Sequence, residues 1–179
     1  MRVISGLYRG RPLVAPRGQA TRPTPDRVRE ALFSILGSVQ EARVLDLFAG
    51  SGALAIEALS RGAASATLID SSPAAIAAVR RNLDALGIEA EVRRQDALAF
   101  LRNARTLGRD YDLVFLDPPY RLASSLGRQL AEALPPVLRT AARVVSESDR
   151  RAPLQLTFAG AGEPQQRQYG DTLISIYDT

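Results

Sequence analysis

The sequence predicts an α/β protein built on a doubly wound, mostly parallel sheet. An antiparallel C-terminal hairpin closes it, and a small N-terminal β-hairpin and helix extend it. Three observations carry this reading. Strand and helix patterns alternate from Arg43 onward, the order that gives a parallel sheet. The run 111–116 is nearly all apolar, as a central parallel strand buried on both faces must be. Two strand-like runs, Gln165 to Tyr169 and Thr172 to Tyr177, flank Gly170-Asp171, a hairpin turn.

The elements follow in order. Residues 2–14 read as a hairpin or extended arm punctuated by Gly6 and Gly10. Pro16, Gly18, Pro23 and Pro25 make a linker. Thr24-Pro25-Asp26 reads as a helix start, with a capping hydroxyl, Pro at the first helical position and an acid in the first turn. Val28, Leu32 and Ile35 fall on one helical face, Gly37 ends the helix, and Arg27 and Arg29 point outward. Strand 44–48 turns through Gly50-Ser51-Gly52 into helix 53–61. Strand 66–69 ends at Asp70, and Ser72-Pro73 opens a helix with the stripe Ile76, Val79, Leu83 and Leu86. Strand 90–93 leads to Asp96 and a short helix, 97–102. Strand 111–116 runs into Asp117-Pro118-Pro119-Tyr120, and a helix marked by Leu122, Leu126, Leu130 and Leu134 stops at Pro135-Pro136. A fifth strand spans 143–146, and 148–164 is rich in Pro and Gly without a clear pattern.

The 179 residues suit one domain, with 1–40 as a basic extension and 41–179 as the α/β core. The chain has no Cys and no His. That excludes a disulfide framework, a Cys/His zinc site, a thiolate nucleophile and a histidine triad. No metal is expected. Proton chemistry falls to carboxylates, Tyr, Arg or backbone. No targeting segment or membrane span is evident, so a cytoplasmic protein is expected. The net charge is +4, and every one of the 23 basic residues is Arg. Residues 1–43 hold eight Arg against three acids, whereas the rest of the chain is nearly balanced. Arg favours bidentate phosphate contacts, and a basic segment is the footprint expected for nucleic acid.

Ligands on doubly wound sheets bind at the carboxyl ends of the strands. Asp46, Asp70, Asp96 and Asp117 lie at or just past such ends. The loop Asp46-Leu47-Phe48-Ala49-Gly50-Ser51-Gly52 has glycines that let a ligand approach the backbone. Its spacing also fits a dinucleotide fingerprint, with Gly50, Gly52, Ala55 and then Asp70. Asp46 argues against that fingerprint, because a carboxylate there repels a pyrophosphate and suits a cationic amine. S-adenosylmethionine carries such an amine, a sulfonium and no phosphate. Asp70 suits two ribose hydroxyls, or it caps the helix near Ser72. Asp96 accepts from the adenine amino group or caps the helix at Ala97; the residues alone leave both open.

Asp117-Pro118-Pro119-Tyr120 is the most specific motif. Its prolines donate no N–H, so the Asp117 carboxylate and the Pro118 carbonyl can both accept from a planar NH₂. The amine nitrogen then attacks a methyl held on sulfonium, with no covalent enzyme intermediate. Tyr120 offers a face for base stacking. The bland alternative is a turn ending a buried strand.

These segments resemble class I S-adenosylmethionine-dependent methyltransferases, a Rossmann-like fold, of the amino-methylating type. More narrowly, the chain resembles the bacterial RsmD family of small-subunit (16S) rRNA guanine-N2 methyltransferases. Gly6-Leu7-Tyr8-Arg9-Gly10-Arg11, Arg22-Pro23-Thr24, Asp26 to Phe33 and Tyr169 to Thr172 carry the narrower likeness. Residues 148–164 match weakly, and Ser5 stands where glycine is common. The resemblance implies Asp117, Pro118 and Tyr120 as catalytic residues. It implies a cofactor site of Asp46, Phe48, Ala49, Gly50, Gly52, Asp70, Ser71, Asp96, Ala97 and Asp117. It implies RNA contacts at Arg9, Arg11, Arg22, Thr24, Arg27 and Arg29, with rRNA or a small ribosomal subunit as partner; a monomer is expected, although the sequence does not itself give the oligomeric state. The competing readings are a DNA amino-methyltransferase, a non-catalytic rRNA-binding assembly factor and a nicotinamide-dependent oxidoreductase. The 179 residues leave little room for a DNA target-recognition insertion. A pure RNA binder has no use for Asp117, and an oxidoreductase leaves Asp-Pro-Pro-Tyr unexplained.

Overall fold

Apolar runs on alternating strands and amphipathic helices between them can be buried only as layers. The computed structural model describes residues 1–17, 25–118, 120–158 and 161–179, the side chains of 120–125 excepted. Seven strands form one sheet in the order β3-β2-β1-β4-β5-β7-β6. The strands β1 (Arg43–Asp46), β2 (Ser65–Asp70), β3 (Glu91–Arg94), β4 (Tyr111–Leu116) and β5 (Leu138–Asp149) run parallel. The strands β6 (Gln165–Tyr169) and β7 (Thr172–Asp178) form the expected antiparallel hairpin, with β7 against β5. The chain moves outward from β1 to β3 and then returns to β4 on the other side of β1. The switch point therefore lies between β1 and β4, where a ligand crevice is expected.

One sheet face packs against α1 (Asp26–Leu36), α2 (Ala53–Ser60) and α3 (Pro73–Leu86) through Val44, Leu68, Leu113, Phe115 and Val145. The opposite face packs against α4 (Ala97–Thr106) and α5 (Tyr120–Ala133) through Leu45, Ile69, Val114, Leu116 and Val144. A 3₁₀ turn, Pro135–Val137, follows α5 where the two prolines were expected to stop it. Leu154, Leu156 and Phe158 from the unplaced segment join this second cluster.

Three elements differ from the sequence reading. The strand β5 is 12 residues long rather than the four of 143–146. Its extension buries Glu147 and Ser148 between strand neighbours, and polar residues give no apolar signal. The helix α4 continues to Thr106 because Ala104, a small and silent core residue, is buried on its inner face. The N-terminal arm has one antiparallel bridge, Arg2 to Pro12, with turns between rather than a long ladder.

The start and face of α1 also differ. Pro25 occupies the cap position, one residue before the helix, and Asp26 is the first helical residue. Thr24 lies outside the described residues. The buried face is Val28, Arg29, Leu32, Phe33 and Leu36, rotated from the expected stripe, and Ile35 is only half-buried. Arg29 was expected outward on RNA, but its side chain is fully buried. Its Nη2 donates to Asp26 Oδ1 at 2.7 Å and to the Arg2 carbonyl at 2.5 Å. The cause is Phe33, one helical turn on, whose ring packs 5.9 Å from Phe115 and draws that face of α1 onto the sheet. Arg29 is thus a strut between α1 and the arm, and the RNA-contact expectation for it is corrected.

The arm is fastened by side chains that the sequence reading passed over. The buried Glu57 carboxylate accepts the backbone N–H groups of Ile4 at 2.7 Å and Ser5 at 3.0 Å. Ser60 Oγ accepts from the Tyr8 N–H at 3.0 Å, and the Ser60 carbonyl accepts from the Leu7 N–H at 2.8 Å. Between them Gly6 has φ +83°, and a Cβ there would lie 1.8 Å from the Ser60 carbonyl oxygen. Only glycine permits this approach.

Candidate active site

The acids of the site stand where the strands end, because each parallel strand delivers its last residue to the same edge of the sheet. Asp46 closes β1 and Asp70 closes β2. Asp117 follows β4 directly. Asp46 is buried and accepts from the backbone N–H groups of Phe48 and Ala55. It thereby pins the loop to the first turn of α2. Burial, with the nearby charge of Asp70 adding to it, pushes its carboxyl up to about 7. Such a group is only partly ionised at neutral pH, and a cation beside it would complete its ionisation.

The glycine loop is shaped for close approach. Gly52 caps α2 in the left-handed conformation, φ 79°, and a Cβ there would crowd Leu68 at 3.0 Å. Gly50 has φ +55° and faces open space, with only the Phe48 carbonyl within reach of a Cβ. Phe48 is half-buried and Ala49 buried. Asp70 holds the loop from the next strand. Its Oδ2 accepts from the Gly50 N–H at 2.9 Å and its Oδ1 from the Ser72 N–H at 2.8 Å. Each carboxylate oxygen has two lone pairs, so a diol can still be accepted. The helix cap itself belongs to Ser72, whose Oγ accepts from the Ala75 N–H at 3.4 Å. Ser71, between them, is exposed.

Asp96 makes the cap, accepting from the Ala99 N–H at 2.9 Å. Ala97 opens α4 with its side chain in the core. Pro118 is buried, and Asp117 is partly exposed at its opening while its carboxyl sits deep among protein atoms. Burial first, then Glu147 and Asp46, raises the Asp117 carboxyl well above the usual carboxylate range. Tyr120 begins α5, and its side chain lies outside the described residues.

Glu147 was missed by the sequence reading, which ended the fifth strand at Ser146, three residues before β5 ends. What places it beside the other acids is register: Ser146 pairs with Leu116, so Glu147 stands level with Asp117 although β5 runs on to Asp149. Asn82 was also missed. Its Oδ1 accepts from the Val14 N–H at 2.8 Å, and its Nδ2 donates to the carbonyls of Val14 at 3.0 Å and Ser51 at 2.8 Å. One buried amide therefore joins the arm to the glycine loop. Arg9, Arg11 and Arg27 are exposed, and Arg11 also donates to the Ala85 carbonyl at 3.0 Å. Arg22 lies outside the described residues. A groove of about 880 Å³ between α5 and residues 152–158, lined by Arg128, Glu132 and Phe158, contains none of the site acids.

The donor set fits a nucleoside that carries cations and no phosphate. Asp46 needs a positive partner, Asp70 has spare lone pairs for a diol, and Gly50 leaves room beside the backbone. Among the described residues no helix is long and apolar enough to cross a membrane.

The comparisons agree with this chemistry. The family described as "Conserved hypothetical protein 95" matches residues 1–178. YlbH of Bacillus subtilis (strain 168) is 38% identical over 180 residues, covering 99% of this chain and 98% of that one. Ribosomal RNA small subunit methyltransferase D of Escherichia coli (strain K12) is 46% identical over 123 residues, 68% of this chain and 61% of that protein. The YhhF structure from Escherichia coli superposes with a TM-score of 0.86 at 37% identity, covering 99% of this chain and 97% of that one. An RNA methyltransferase from Salinibacter ruber, in complex with S-adenosyl-L-homocysteine, shares the fold at 20% identity, with a TM-score of 0.63 over 88% of this chain and 93% of that one. A likeness that runs unbroken from the arm through the glycine loop to the closing hairpin puts this chain in the RsmD/YlbH family of rRNA methyltransferases, whose cofactor is S-adenosyl-L-methionine.

Proposed function

We propose that the protein transfers a methyl group from S-adenosylmethionine to the exocyclic N2 amine of a guanine in small-subunit ribosomal RNA. The observation that carries this reading is the Asp117-Pro118 step at the switch point, beside Asp46 and across from the glycine loop. The relatives named for small-subunit rRNA support the substrate class.

When bound, the cofactor supplies an electrophilic methyl on a sulfonium. Asp46 would hold its cationic amine, Asp70 would accept its ribose hydroxyls, and Gly50 would let it approach the backbone. The Asp117 carboxylate and the Pro118 carbonyl accept the two hydrogens of the target amine and turn its lone pair toward the methyl. The methyl would pass to nitrogen as its bond to sulfur breaks, the sulfur leaving as a neutral thioether. The surplus proton on nitrogen passes to Asp117, whose raised affinity for a proton suits it to that task. Exposed Arg9, Arg11 and Arg27 hold the RNA backbone, and the arm that carries two of them is hydrogen-bonded to α2.

The test is to incubate the protein with labelled cofactor and small subunits, bare rRNA or duplex DNA, and to identify the labelled nucleoside. N2-methylguanosine from ribosomal material is the expected product. Methyladenine or N4-methylcytosine from DNA would replace this reading by a DNA enzyme. Absence of label, with tight rRNA binding, would replace it by a non-catalytic binder.

Two further results are expected. Asp70→Ala weakens cofactor binding by at least tenfold, on the order of the 1.5–3 kcal/mol of a charged hydrogen bond, as read by calorimetry. Unchanged affinity would leave Asp70 with only its loop-holding bonds. Neutralising Arg9 and Arg11 together weakens RNA binding and lowers the slope of log affinity against log salt by about 1–2. An unaltered slope would show that RNA is held elsewhere.

A further inference from the structure

We propose that Glu147, in the carboxyl-terminal part of β5 and level with Asp117, selects the base by accepting the N1–H of guanine. This rests on the guanine-N2 reading above and names the residue that makes the choice.

The argument is one of strand order. The cofactor residues sit on β1 and β2, and the amine-holding pair follows β4. The strand β5 lies on the other side of β4 from β1. Whatever is held at the end of β5 therefore stands on the side away from the cofactor, where the target base must enter. Leu116 is opposite Ser146 in the β4–β5 ladder, so the next residues in register are Asp117 and Glu147. Neighbouring strands are about 4.8 Å apart, and residues at equal register in parallel strands share a face. The charge of Glu147 acts directly on Asp117, as that proximity requires. Glu147 is itself more than nine-tenths buried, at 7% exposure, so its carboxylate is turned away from bulk solvent.

The chemistry of the base edge matches this spacing. Guanine presents N1–H beside its N2 amine, a run of donors on one edge. An ionised carboxylate only accepts. With the amine on Asp117 and Pro118, the adjacent donor falls to the adjacent carboxylate. Adenine and cytosine present a bare ring nitrogen beside their amines. Such a lone pair set against a buried carboxylate is repelled, and no hydrogen bond forms there. Asp117-Pro118 accepts any planar amine, so it cannot choose among bases alone. Glu147 supplies the choice.

The test uses the full chain and small subunits in which the mapped target is either guanosine or 2-aminopurine riboside, introduced by ligation into rRNA and reassembled. The second base keeps the amine and replaces N1–H by a lone pair. Wild type is expected to prefer guanosine by at least about 100-fold. In Glu147→Gln, the amide can either accept or donate, so the preference falls below about tenfold, chiefly through gain on 2-aminopurine. Cofactor affinity, measured on the same variant, reports that the fold is intact. A variant that loses both activities alike, or keeps the wild-type ratio, overturns the proposal and leaves Glu147 a structural acid. Wild type that labels adenine or cytosine overturns the guanine reading itself, a result visible before any variant is made.

Discussion

Asp117→Ala abolishes methyl transfer while leaving cofactor affinity within a few-fold. The separation follows from position. The proposed cofactor contacts lie on β1, β2 and the glycine loop, and Asp117 sits just past the end of β4. Removing its carboxylate takes away one of two acceptors that orient the amine and the group that receives the surplus proton. Loss of one preorganised group aimed at the reacting centre costs about 10²–10³ in turnover, and loss of proton transfer typically costs a further 10²–10⁴. Together these put the variant below ordinary detection. Asp117→Asn keeps an acceptor of the same shape and cannot take a proton. Its residual rate should therefore lie between wild type and alanine. Single-turnover rates on small subunits, beside calorimetric cofactor affinities, make the comparison. Equal loss of rate and affinity would refute the assigned role.

The variant also removes a strained charge. In the ligand-free protein, burial and the charges of Glu147 and Asp46 hold the Asp117 carboxyl well above its ordinary range. A carboxyl raised in the native state contributes stability at low pH that is lost as pH rises through its native value. Near neutral pH, replacing it removes that penalty. Asp117→Ala should thus be at least as heat-stable as wild type at pH 8 while being inactive. Protein sites that trade stability for chemistry behave this way.

Much of this site was legible in the sequence because its logic is periodic. Short strands with an acid at or just past their ends announce both the sheet and the edge where ligands bind. Asp46, Asp70 and Asp117 were found by that pattern, and the fold places them at one edge. Glu147 escaped because Ser146, Glu147 and Ser148 are polar, and a buried polar run leaves no apolar trace. Arg29 was misread for a related reason. Charge argued for the outside, but Asp26 and the Arg2 carbonyl bind its guanidinium within the fold, and no local pattern encodes a partner 27 residues away. The anchoring of the arm by Glu57, Ser60 and Asn82 is likewise long-range, joining residues more than 50 apart. Asp96 was left between two roles, and the structure shows the cap.

Cofactor affinity should rise with pH up to about 7 and then level off. The sign comes from Asp46. Its carboxyl is raised from 3.8 to about 7, by burial first and by Asp70 second, so the free protein at pH 6 carries it largely protonated. A cationic cofactor requires the carboxylate. Binding below pH 7 must therefore release a proton, and affinity climbs by up to tenfold for each pH unit. Above about 7 the group is already ionised and the dependence fades. The same shift sets stability with the opposite sign. The raised carboxyl contributes fully below about pH 4, and the contribution disappears as pH rises through 7, on the order of 4 kcal/mol for about three units. The ligand-free protein should melt at a lower temperature at pH 8 than at pH 5.5, and cofactor should restore more at the higher pH. Calorimetric titrations between pH 5.5 and 7.5, in buffers of different ionisation heat, count the protons directly. Close to one proton released at pH 5.5 is expected, falling as pH approaches 7.5. In Asp46→Asn the proton count goes to zero, affinity drops, and the ligand-free protein gains stability at neutral pH. Flat affinity across that window, with no proton released by wild type, would mean that Asp46 keeps its proton in the complex and serves the loop rather than the cofactor. The acid that closes β1 would then be an anchor for the Phe48 and Ala55 peptides, and the cation would have to be met by Asp70 alone.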